Sequence, residues 1–423
     1  MVVKPGYKQT DVGVVPADWN CAAVAKVAVN TKNSIVGGPF GSDLVSSDYV
    51  SSGVPVIRGQ NMGAGYVSGD FVFVSKPKAR RLQANTARAG DLIFTQRGTL
   101  GQVSIVPSAP FDEYIISQSQ MKLTLNPALA DTQYIYQYFS SGDGQRQITE
   151  SAIQTGVPHT NLGILRAYRI PLPPSVAEQR AIAAALSDVD ALLGGLERLI
   201  AKKRDLKQAA MQQLLTGQTR LPGFSGKWEV KRLGEICEIA MGRTPPRLNQ
   251  AYWGRGFKWL SIADLQTKVV STSNEEITEL AAAMMTIIPE GTLLMSFKLS
   301  LGRLCFAGCD LFTNEAICSF NKLQASAEFL YYVLGRTDFS LYGKQAVKGY
   351  TLNKESLKVI KVMLPTFPEQ TAIATVLSDM DAELSALEAR RDKTRALKQA
   401  MMQELLTGRI RLISGELTVE SGE

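Results

Sequence analysis

The chain has 423 residues, of which 45% are hydrophobic and 20% are charged, proportions usual for a folded protein in water. This length predicts two to four domains, and no apolar run approaches the roughly 20 residues that a membrane-spanning helix needs. The net charge of +7 is compatible with a polyanionic partner, although charge alone does not require one.

An irregular lead-in, Pro5–Trp19, is predicted near the start of the chain, and a shorter counterpart ends at Trp228. After each tryptophan, a short apolar stretch leads into a turn rich in Gly and Pro, at Gly37–Ser42 and at Gly242–Pro246. The first residues contain no apolar segment of the kind that secretory signals carry, which excludes a signal peptide there. Buried free thiols in a cytoplasmic protein are predicted for the cysteines, which lack framework or zinc spacing: Cys21, Cys237, Cys305, Cys309 and Cys318.

Residues 21–170 predict a β-rich domain, because short runs of β-branched and aromatic residues alternate with Gly, Asn and Asp turns. A helix is predicted at Asp131–Ser140, with Ile135 and Phe139 on one side. The predicted strands are Val54–Arg58, Phe71–Val74, Asp91–Thr95 and Met121–Leu125.

A long helix follows, and its sequence occurs twice. Glu178–Leu221 returns 191 positions later as Glu369–Leu412, with 27 identical pairs among 44 positions, so the chain contains a duplication. Apolar residues in both copies alternate at spacings of four and three, which predicts a coiled-coil seam. The seam residues are Ile182, Leu186, Val189, Leu193 and Leu196 in the first copy, and Ile373, Leu377, Met380, Leu384 and Leu387 in the second.

The seam is interrupted in both copies. Lys203 and Lys207 in the first copy, and Arg391 and Thr394 in the second, occupy positions where the heptad would place apolar residues. This phase shift is typical of a stutter, at which a supercoil locally unwinds. The alternative interpretation is two long helices buried in one large core.

The second β-rich region has the same pattern as the first but different side chains at comparable places. Arg97–Gly101 corresponds loosely to Lys298–Gly302, and Ser117-Gln118 corresponds to Asn314-Glu315. Two similar scaffolds therefore carry two different surfaces. The predicted elements of this region are strands at Phe257–Ile262, Thr292–Ser296 and Ala316–Phe320 and a helix at Ala327–Leu334.

Both regions contain loops rich in the side chains that read base edges and grip phosphates. Each residue taken alone is also compatible with an ordinary solvated loop, but the set suggests double-stranded DNA as a ligand. The candidate DNA contacts are Arg58, Asn61, Arg97, Thr99, Gln118, Gln154 and His159 in the first region, and Arg243, Lys298, Asn314, Lys348, Tyr350 and Asn353 in the second.

Catalytic patterns are absent from the sequence. His159 is the one histidine, so no histidine-based triad serves both halves. No stretch fits a phosphate-binding P-loop or the Asn/Asp-Pro-Pro-aromatic motif of amino-methyltransferases. The repeated pairs Asp188/Asp190 and Asp379/Asp381 are predicted to be solvated helix residues and not a metal site.

The combined pattern resembles one family, the specificity subunits of type I restriction-modification enzymes. The residues that carry this resemblance run from Pro171-Leu-Pro-Pro through Glu178-Gln179 to Leu214-Leu-Thr-Gly217, and recur from Leu364-Pro365 through Glu369-Gln370 to Leu405-Leu-Thr-Gly408. The likeness covers nearly the whole chain. It departs from the pattern where Thr366-Phe367 interrupts the second proline box.

The resemblance implies an α+β fold with an internal pseudo-twofold repeat. Two β-rich target-recognition domains would be separated by two long helices that pair as an antiparallel coiled coil. The implied boundaries are 1–170 and 218–363 for the recognition domains, 171–217 and 364–410 for the helices, and 411–423 for a disordered tail.

The resemblance also implies the partners and the reaction. Each recognition domain would read one half of a bipartite, asymmetric DNA target, and the helices would set the spacing. Two methyltransferase subunits would bind S-adenosylmethionine and methylate adenine N6, and a nuclease subunit using ATP and magnesium could join them. The chain itself would bind no cofactor or metal, would catalyse nothing, and would work in the cytoplasm of a bacterium or archaeon.

Two alternatives remain open at this stage. One is a stand-alone nuclease or methyltransferase with unusual motifs, which purified chain alone would reveal by its activity. The other is a protein–protein scaffold whose domains bind protein and not DNA.

Overall fold

A computed structural model of the chain describes residues 4–154, 156–298, 300–346 and 349–412, with only the backbone described at 344–346 and 349–351. The chain folds into two compact units. Unit 1 combines Met1–Glu197 with Ala389–Glu423, and unit 2 is Arg198–Glu388. Residues 413–423 of the predicted tail, and the candidate contact Lys348, lie outside the described residues.

In the described part of unit 1, short strands and five short α-helices precede the first long helix. The strands are β1 (Tyr7–Thr10), β2 (Gly13–Pro16), β3 (Asn20–Ala23), β4 (Ile35–Gly37), β5 (Tyr49–Val50), β6 (Val54–Ile57), β7 (Val72–Val74), β8 (Thr86–Ala87), β9 (Leu92–Thr95), β10 (Val103–Ile105), β11 (Tyr114–Ile116), β12 (Gln120–Leu123) and β13 (Arg169–Leu172). The helices are α1 (Val24–Val27), α2 (Lys76–Arg81), α3 (Thr132–Ser140), α4 (Gly142–Glu150), α5 (Leu162–Ala167) and the start of α6 (Val176–Leu214).

Unit 2 has a similar inventory. Its strands are β14 (Glu229–Arg232), β15 (Glu238–Met241), β16 (Trp253–Leu260), β17 (Val269–Val270), β18 (Glu275–Ile277), β19 (Leu293–Ser296), β20 (Leu304–Ala307), β21 (Leu311–Thr313), β22 (Ile317–Asn321), β23 (Lys344–Ala346), β24 (Gly349–Thr351) and β25 (Lys361–Leu364). Its helices are α7 (Leu233–Ile236), α8 (Glu279–Ala282), α9 (Ala327–Leu334), α10 (Lys354–Lys358) and the first part of α11 (Phe367–Leu405).

The two units repeat one sheet topology. The order β10-β9-β12-β4 in unit 1 returns as β20-β19-β22-β15 in unit 2, where β17 extends the sheet. A parallel pair accompanies each sheet, β6 with β11 and β16 with β21. The predicted α+β repeat is therefore confirmed. Helix α9 has the predicted bounds, α3 begins one residue later than predicted because Asp131 is its N-cap, and β16 begins at Trp253, four residues before the predicted strand.

The long-helix segments run antiparallel within each unit. In unit 1, Lys398 pairs with Asp190 at 2.7 Å and Arg395 pairs with Glu197 at 3.1 Å. Residue numbers therefore rise along one helix as they fall along the other. In unit 2, the pairs Lys203–Glu383 and Lys207–Asp381 follow the same descending order.

The predicted interruption of the seam is a layer of ion pairs. Lys203 and Lys207 reach carboxylates of the opposing helix segment, and the Thr394 hydroxyl donates to the Arg390 carbonyl at 2.8 Å. Asp190 and Asp381, predicted to be solvated, are half-buried in such pairs because a basic residue of the opposing segment faces each of them. Both carboxylates keep part of their solvent exposure, and their ion pairs were not predicted from the sequence.

The seam residues are all at least partly covered. Ile182 and Leu186 pack with Trp19, Tyr134 and Phe139 in the core of unit 1, and the equivalent residues of α11 pack in the core of unit 2. The start of each long helix thus belongs to its own domain core. Buried seam residues are Ile182, Leu186, Leu196, Ile373, Leu377 and Leu384, and half-buried ones are Val189, Leu193, Met380 and Leu387.

A buried carboxylate anchors the start of each long helix. In unit 1, Arg411 donates two hydrogen bonds to Glu178, at 2.5 and 2.9 Å, and two to Asp18, both at 3.1 Å, while its guanidinium lies 5.7 Å from the Trp19 ring. The hydrogen bond with Glu178 raises the pKa of Arg411. Arg411 is therefore ordered, although it begins the predicted tail.

Unit 2 repeats the Arg–Glu–Trp part of this arrangement: Arg220 lies 191 positions before Arg411, Glu369 lies 191 positions after Glu178, and Trp228 takes the place of Trp19. Arg220 donates to both carboxylate oxygens of Glu369, at 2.5 and 2.6 Å, and lies 5.8 Å from the Trp228 ring. The Glu369 residue is fully buried. We name these two arrangements the helix anchors.

A buried glutamine follows each anchoring glutamate. Gln370 accepts from the Ser326 backbone amide at 2.9 Å and donates to the Pro365 carbonyl at 2.9 Å. Gln179 accepts from the Asp131 amide at 2.9 Å and donates to Pro173. Because Ser326 and Asp131 are the N-caps of α9 and α3, each glutamine fixes a domain helix to the start of a long helix.

Replacement of Gln370 by leucine is expected to lower the free energy of unfolding by about 1–3 kcal/mol, because it leaves a buried amide and a buried carbonyl without partners. Urea unfolding of the chain measures this change. Gln213→Leu is the matched control, since Gln213 is exposed on α6, and it should change stability by less than about 0.5 kcal/mol. Equal effects of the two substitutions would contradict the assignment.

Two further expectations concern the whole chain. No helix among the described residues has both the length and the apolarity needed to cross a membrane. All five cysteines are free thiols, as predicted. The predicted burial is confirmed for Cys305 and Cys318, whereas Cys21, Cys237 and Cys309 are half-buried.

Candidate nucleic-acid interface

Four loops of unit 1 meet at one end of the four-stranded sheet. The Gly38 amide donates to the Gln120 carbonyl at 2.9 Å, and the Gln96 amide donates to the Ser119 carbonyl at 2.7 Å. The Thr160 amide donates to the Gln96 carbonyl at 3.0 Å. These bonds bring together residues 37–42, 96–101, 117–120, 153–154 and 156–160, which we name the loop cluster of unit 1.

Unit 2 builds an equivalent loop cluster with the same backbone bonds. The Gly242 amide donates to the Ile317 carbonyl at 3.0 Å, and the Phe297 amide donates to the Ala316 carbonyl at 3.0 Å. The Leu352 amide donates to the Phe297 carbonyl at 3.1 Å. This cluster contains residues 242–249, 297–298, 300–302 and 313–317 with Leu352, and it matches the correspondences that the sequence suggested.

A glycine without a side chain is required where the first loop of each cluster touches the third. A Cβ atom on Gly38 would lie 1.9 Å from the Ser117 carbonyl oxygen, and one on Gly242 would lie 2.2 Å from the Asn314 carbonyl oxygen. At both positions the added Cβ atom would meet a backbone atom, which cannot move aside as a flexible side chain can, so a larger residue forces the loops apart.

Most of the candidate contacts of unit 1 share this cluster. Arg97, Thr99, Gln118 and Gln154 are exposed there. His159 is half-buried, its backbone bridges that of Arg97, and its Nδ1 lies 3.2 Å from the Val157 carbonyl oxygen. The structure therefore brings together five residues that the sequence spreads over 63 positions.

Two candidates of unit 1 behave differently. Asn61 is fully buried, and its amide nitrogen donates to the carbonyls of Ser68 and Asp70 while its oxygen accepts from the Arg58 amide. The Asn61 side chain is therefore inaccessible to a DNA base, and we leave it out of the proposed DNA contacts. Arg58 is half-buried with its guanidinium 6.0 Å from the Tyr49 ring, and its buried Nε has no hydrogen-bond partner.

In unit 2, Arg243 is exposed and Lys298 and Asn314 are half-buried in the loop cluster. The Asn314 side chain accepts from the Ala316 amide at 3.0 Å, which leaves its NH₂ group for other partners. Asn353 is exposed, but its side-chain oxygen caps α10 by accepting from the Ser356 amide at 2.8 Å. For Tyr350 only the backbone, in β24, is described.

Three cations of the loop clusters differ in their partners from three lysines of the long helices. Within the described part of the chain, Arg97, Arg243 and Lys298 form no ion pair, whereas Lys203, Lys207 and Lys398 all pair with carboxylates. Unpaired cations that are at least partly exposed are available for phosphate oxygens. The loop clusters are thus chemically suited to a polyanion.

The residues at equivalent reading positions differ in hydrogen-bonding character. Gln118 of unit 1 carries an amide, and Glu315 of unit 2 carries a carboxylate. A hydrogen bond from the Thr244 hydroxyl lowers the pKa of Glu315, so this carboxylate is ionised at neutral pH and only accepts hydrogen bonds. The two positions correspond in the sequence, but Glu315 is not among the DNA contacts predicted from it.

Arg247 was also missed by the sequence reasoning. Its guanidinium lies 4.1 Å from the Trp253 ring and 4.8 Å from the Trp259 ring, and it pairs with Glu275 at 2.5 Å. The position of Arg247 after two prolines marks a turn, but nothing in the spacing predicts which rings enclose it.

The described residues contain no group of three His, Cys, Asp or Glu side chains arranged to hold a metal ion. The two loop clusters therefore offer hydrogen-bonding and charged groups but no metal-ligand set in the part of the chain that the structure describes.

Comparison with known proteins identifies relatives of this chain. The model of the family described as "Type I restriction modification DNA specificity domain" matches residues 47–203 and 225–395, which together make up most of the sequence. Each match covers part of one β-rich domain and part of the long helix that follows it.

Similar full-length proteins come from Methanocaldococcus jannaschii. The type I restriction enzyme MjaVIII specificity subunit is 24% identical over 336 residues, covering 70% of this chain and 75% of that one. A protein provisionally named the type I restriction enzyme MjaX specificity subunit is 23% identical over 435 residues, covering 96% and 97% of the two chains.

Solved structures share the fold. The type I restriction-modification S subunit from M. genitalium has a TM-score of 0.60 at 16% identity, covering 92% of this chain and 96% of that one. A chain from a study of the assembly and conformational transition of the type I restriction-modification system has a TM-score of 0.56 at 20% identity, with 93% and 99% covered.

Proposed function

Because the family model covers most of its length, this chain belongs to the type I restriction-modification DNA specificity family, and we propose that each unit reads one half of a bipartite, asymmetric DNA target. The chain is the DNA-recognition component of such a system and is not its catalytic subunit. In this proposal residues 1–170 and 218–363 supply the two recognition domains.

The observation that carries the proposal is the pair of loop clusters. The two clusters have equivalent backbone hydrogen bonds but different side chains, as expected for two surfaces that bind different DNA sequences. An amide such as that of Gln118 pairs well with adenine, whereas a carboxylate such as that of Glu315 accepts from cytosine. Two unlike half-sites give an asymmetric target.

The remaining proposed contacts divide into two kinds. The unpaired cations Arg97, Arg243 and Lys298 suit phosphate oxygens or guanine edges. Arg58 is half-buried, and we propose that the accessible part of its guanidinium donates to an acceptor on DNA. The other polar contacts that we propose are Thr99, Gln118, Gln154 and His159 in unit 1, and Asn314, Tyr350, Lys348 and Asn353 in unit 2.

The proposed partners follow from the repeat. The two long helices share 27 of 44 residues, which suits two copies of one partner, and we propose two methyltransferase subunits. They would bind S-adenosylmethionine and methylate adenine N6, while a nuclease subunit, where present, would use ATP and magnesium. The helices would set the spacing between half-sites, and the complex would work in the cytoplasm of a bacterium or archaeon.

The test is methylation mapping in cells that express the chain with its methyltransferase subunit. One asymmetric motif with two specified halves is the expected result, and binding of purified complex to that motif should exceed binding to unrelated DNA by at least about 1,000-fold. An assembled complex without sequence preference would refute the proposal.

Single substitutions should affect the two halves separately. If Arg97 contacts a base, Arg97→Ala should weaken DNA binding by the assembled complex by about 1–3 kcal/mol and relax base preference only in the first half-site. If Arg97 contacts a phosphate, the substitution should instead lower the slope of log K against log salt concentration by about one unit. Lys298→Ala should act in the same way on the second half. Binding at several salt concentrations to half-site variants measures both effects.

Matched controls are available in each unit. Arg88 pairs with Glu113 at 3.3 Å and Lys322 pairs with Glu238 at 2.8 Å, and all four side chains are exposed. Arg88→Ala and Lys322→Ala remove the same charge and should leave half-site preference unchanged. If the control variants and Arg97→Ala lose the same amount of DNA affinity, Arg97 contributes only through the net charge of the protein.

A further inference from the structure

Each loop cluster carries one large apolar side chain that is almost completely exposed. Phe40 of unit 1 is 85% exposed and Leu248 of unit 2 is 99% exposed. Both follow the glycine, Gly38 or Gly242, that packs against the neighbouring reading loop. The two turns have different sequences and lengths, yet each presents an apolar side chain beside the proposed DNA contacts.

The turn of unit 1 is firmly held behind Phe40. Pro39 is buried, and the Asn85 side chain donates to the Gly37 carbonyl at 2.7 Å. On the other side of Phe40, the Asp43 amide donates to the Phe40 carbonyl at 2.9 Å. The exposed ring therefore projects from a turn that is fixed on both sides.

The turn of unit 2 is held by two indoles. Trp259 Nε1 donates to the Arg243 carbonyl at 3.0 Å, and Trp253 Nε1 donates to the Pro246 carbonyl at 3.2 Å. Arg247 lies against both rings, directly before Leu248. Different interactions thus fix the same kind of exposed apolar tip in both units.

A single exposed apolar residue on a protein surface needs no explanation. Here, however, two occur at equivalent turns, both beside polar side chains and unpaired cations. Proteins that grip DNA through cations commonly insert Phe, Leu or other apolar side chains between base pairs, which separates the stacked bases and kinks the duplex. The unpaired cations of the same loop cluster would hold the phosphates while the tip enters.

We infer that Phe40 and Leu248 are apolar wedges that each enter one base-pair step of the corresponding DNA half-site. This inference rests on the proposed function, and it adds a contact with the base stack to contacts with base edges and phosphates. A wedge selects sequence through the energy of unstacking, which is smallest at flexible pyrimidine–purine steps.

The test uses the assembled complex of full chain and methyltransferase subunits with target duplexes that carry 2-aminopurine. The probe occupies successive positions of each half-site, away from the adenine that is methylated. Wild-type complex should raise probe fluorescence at one step in each half. Phe40→Ser should abolish the fluorescence rise in the first half-site and weaken DNA binding by roughly 5- to 100-fold. Phe40→Leu should retain most of the fluorescence rise and most of the DNA affinity.

Leu248→Ser should have the same effects confined to the second half. The matched controls are Leu129→Ser in unit 1 and Val230→Thr in unit 2, which remove exposed apolar groups away from the loop clusters, and both should behave as wild type. A size-exclusion measurement of the complex verifies that every variant still assembles.

The outcomes separate the inference from the proposed function. Wild-type complex without any sequence preference would overturn both. Wild-type complex that binds its motif while Phe40→Ser and Leu248→Ser keep the fluorescence rise would overturn the wedge alone. Loss of methyltransferase association with an unchanged fluorescence rise would also overturn it, because the tips would then contact protein.

Discussion

Replacement of Arg411 by alanine is expected to lower the free energy of unfolding of unit 1 by about 3–5 kcal/mol. The Glu178 side chain is only 4% exposed, and Arg411 is its partner in the helix anchor. Without the guanidinium, a carboxylate remains buried and uncompensated, and Asp18 loses its partner as well. Urea unfolding monitored by hydrogen exchange at the start of α6 measures the loss.

The control lies two residues away. Arg409 pairs with Glu404 at 3.2 Å on the surface, where an ion pair contributes about 0–1 kcal/mol. Arg409→Ala should therefore change stability little. The double variant Arg411→Met with Glu178→Met should recover much of the loss, because it removes the buried charge together with its partner. Equal stability of the Arg411→Ala and Arg409→Ala proteins would contradict the helix anchor.

Gly38→Val should reduce the affinity of the assembled complex for its DNA target by about 1,000-fold, close to the level of non-specific binding. The new Cβ atom would lie 1.9 Å from the Ser117 carbonyl oxygen, so the two loops must separate. Such a separation displaces Gln118 and Phe40 together. Titration of the methylation motif with the complex measures the effect, and hydrogen exchange at Ser117–Gln120 reports the displacement.

Gly242→Val should have the corresponding effect through the second half-site, because its Cβ atom would meet the Asn314 carbonyl oxygen. Gly195→Ala serves as the control, since Gly195 lies in α6 with no atom within 4 Å of the added Cβ, and alanine favours the helix. Undiminished affinity of Gly38→Val protein would show that the loop cluster does not need this close approach.

The repeat and the long helices could be predicted because their signal is local. Heptad spacing and identity between the copies are both visible in the sequence, and α9 has the bounds that its apolar run indicated. The strands β10 and β11 were missed because each has only three residues, fewer than the four to eight over which a strand pattern is recognised.

The candidate site was predictable as a set of loops but not residue by residue. Composition cannot distinguish a polar residue that binds a ligand from one that binds its own backbone, which is why Asn61 and the capping oxygen of Asn353 were included. Glu178 and Arg411 are 233 positions apart, and only the recurrence of Arg220 and Glu369 in the other copy could have revealed that pair. Exposure, which distinguishes Phe40 and Leu248, is a property of the fold.

The helix anchors have a consequence for the order of the chain. In unit 2, Arg220 and Trp228 are joined by a few residues of continuous backbone, whereas in unit 1 the equivalent Arg411 and Trp19 meet from opposite ends of the polypeptide. The Tyr7 hydroxyl also donates to the Gly408 carbonyl at 3.4 Å. The pattern of contacts is thus cyclic while the covalent chain is linear. A circular permutant, opened between Arg220 and Trp228 and closed between Arg411 and Trp19, would keep both anchors with their roles exchanged.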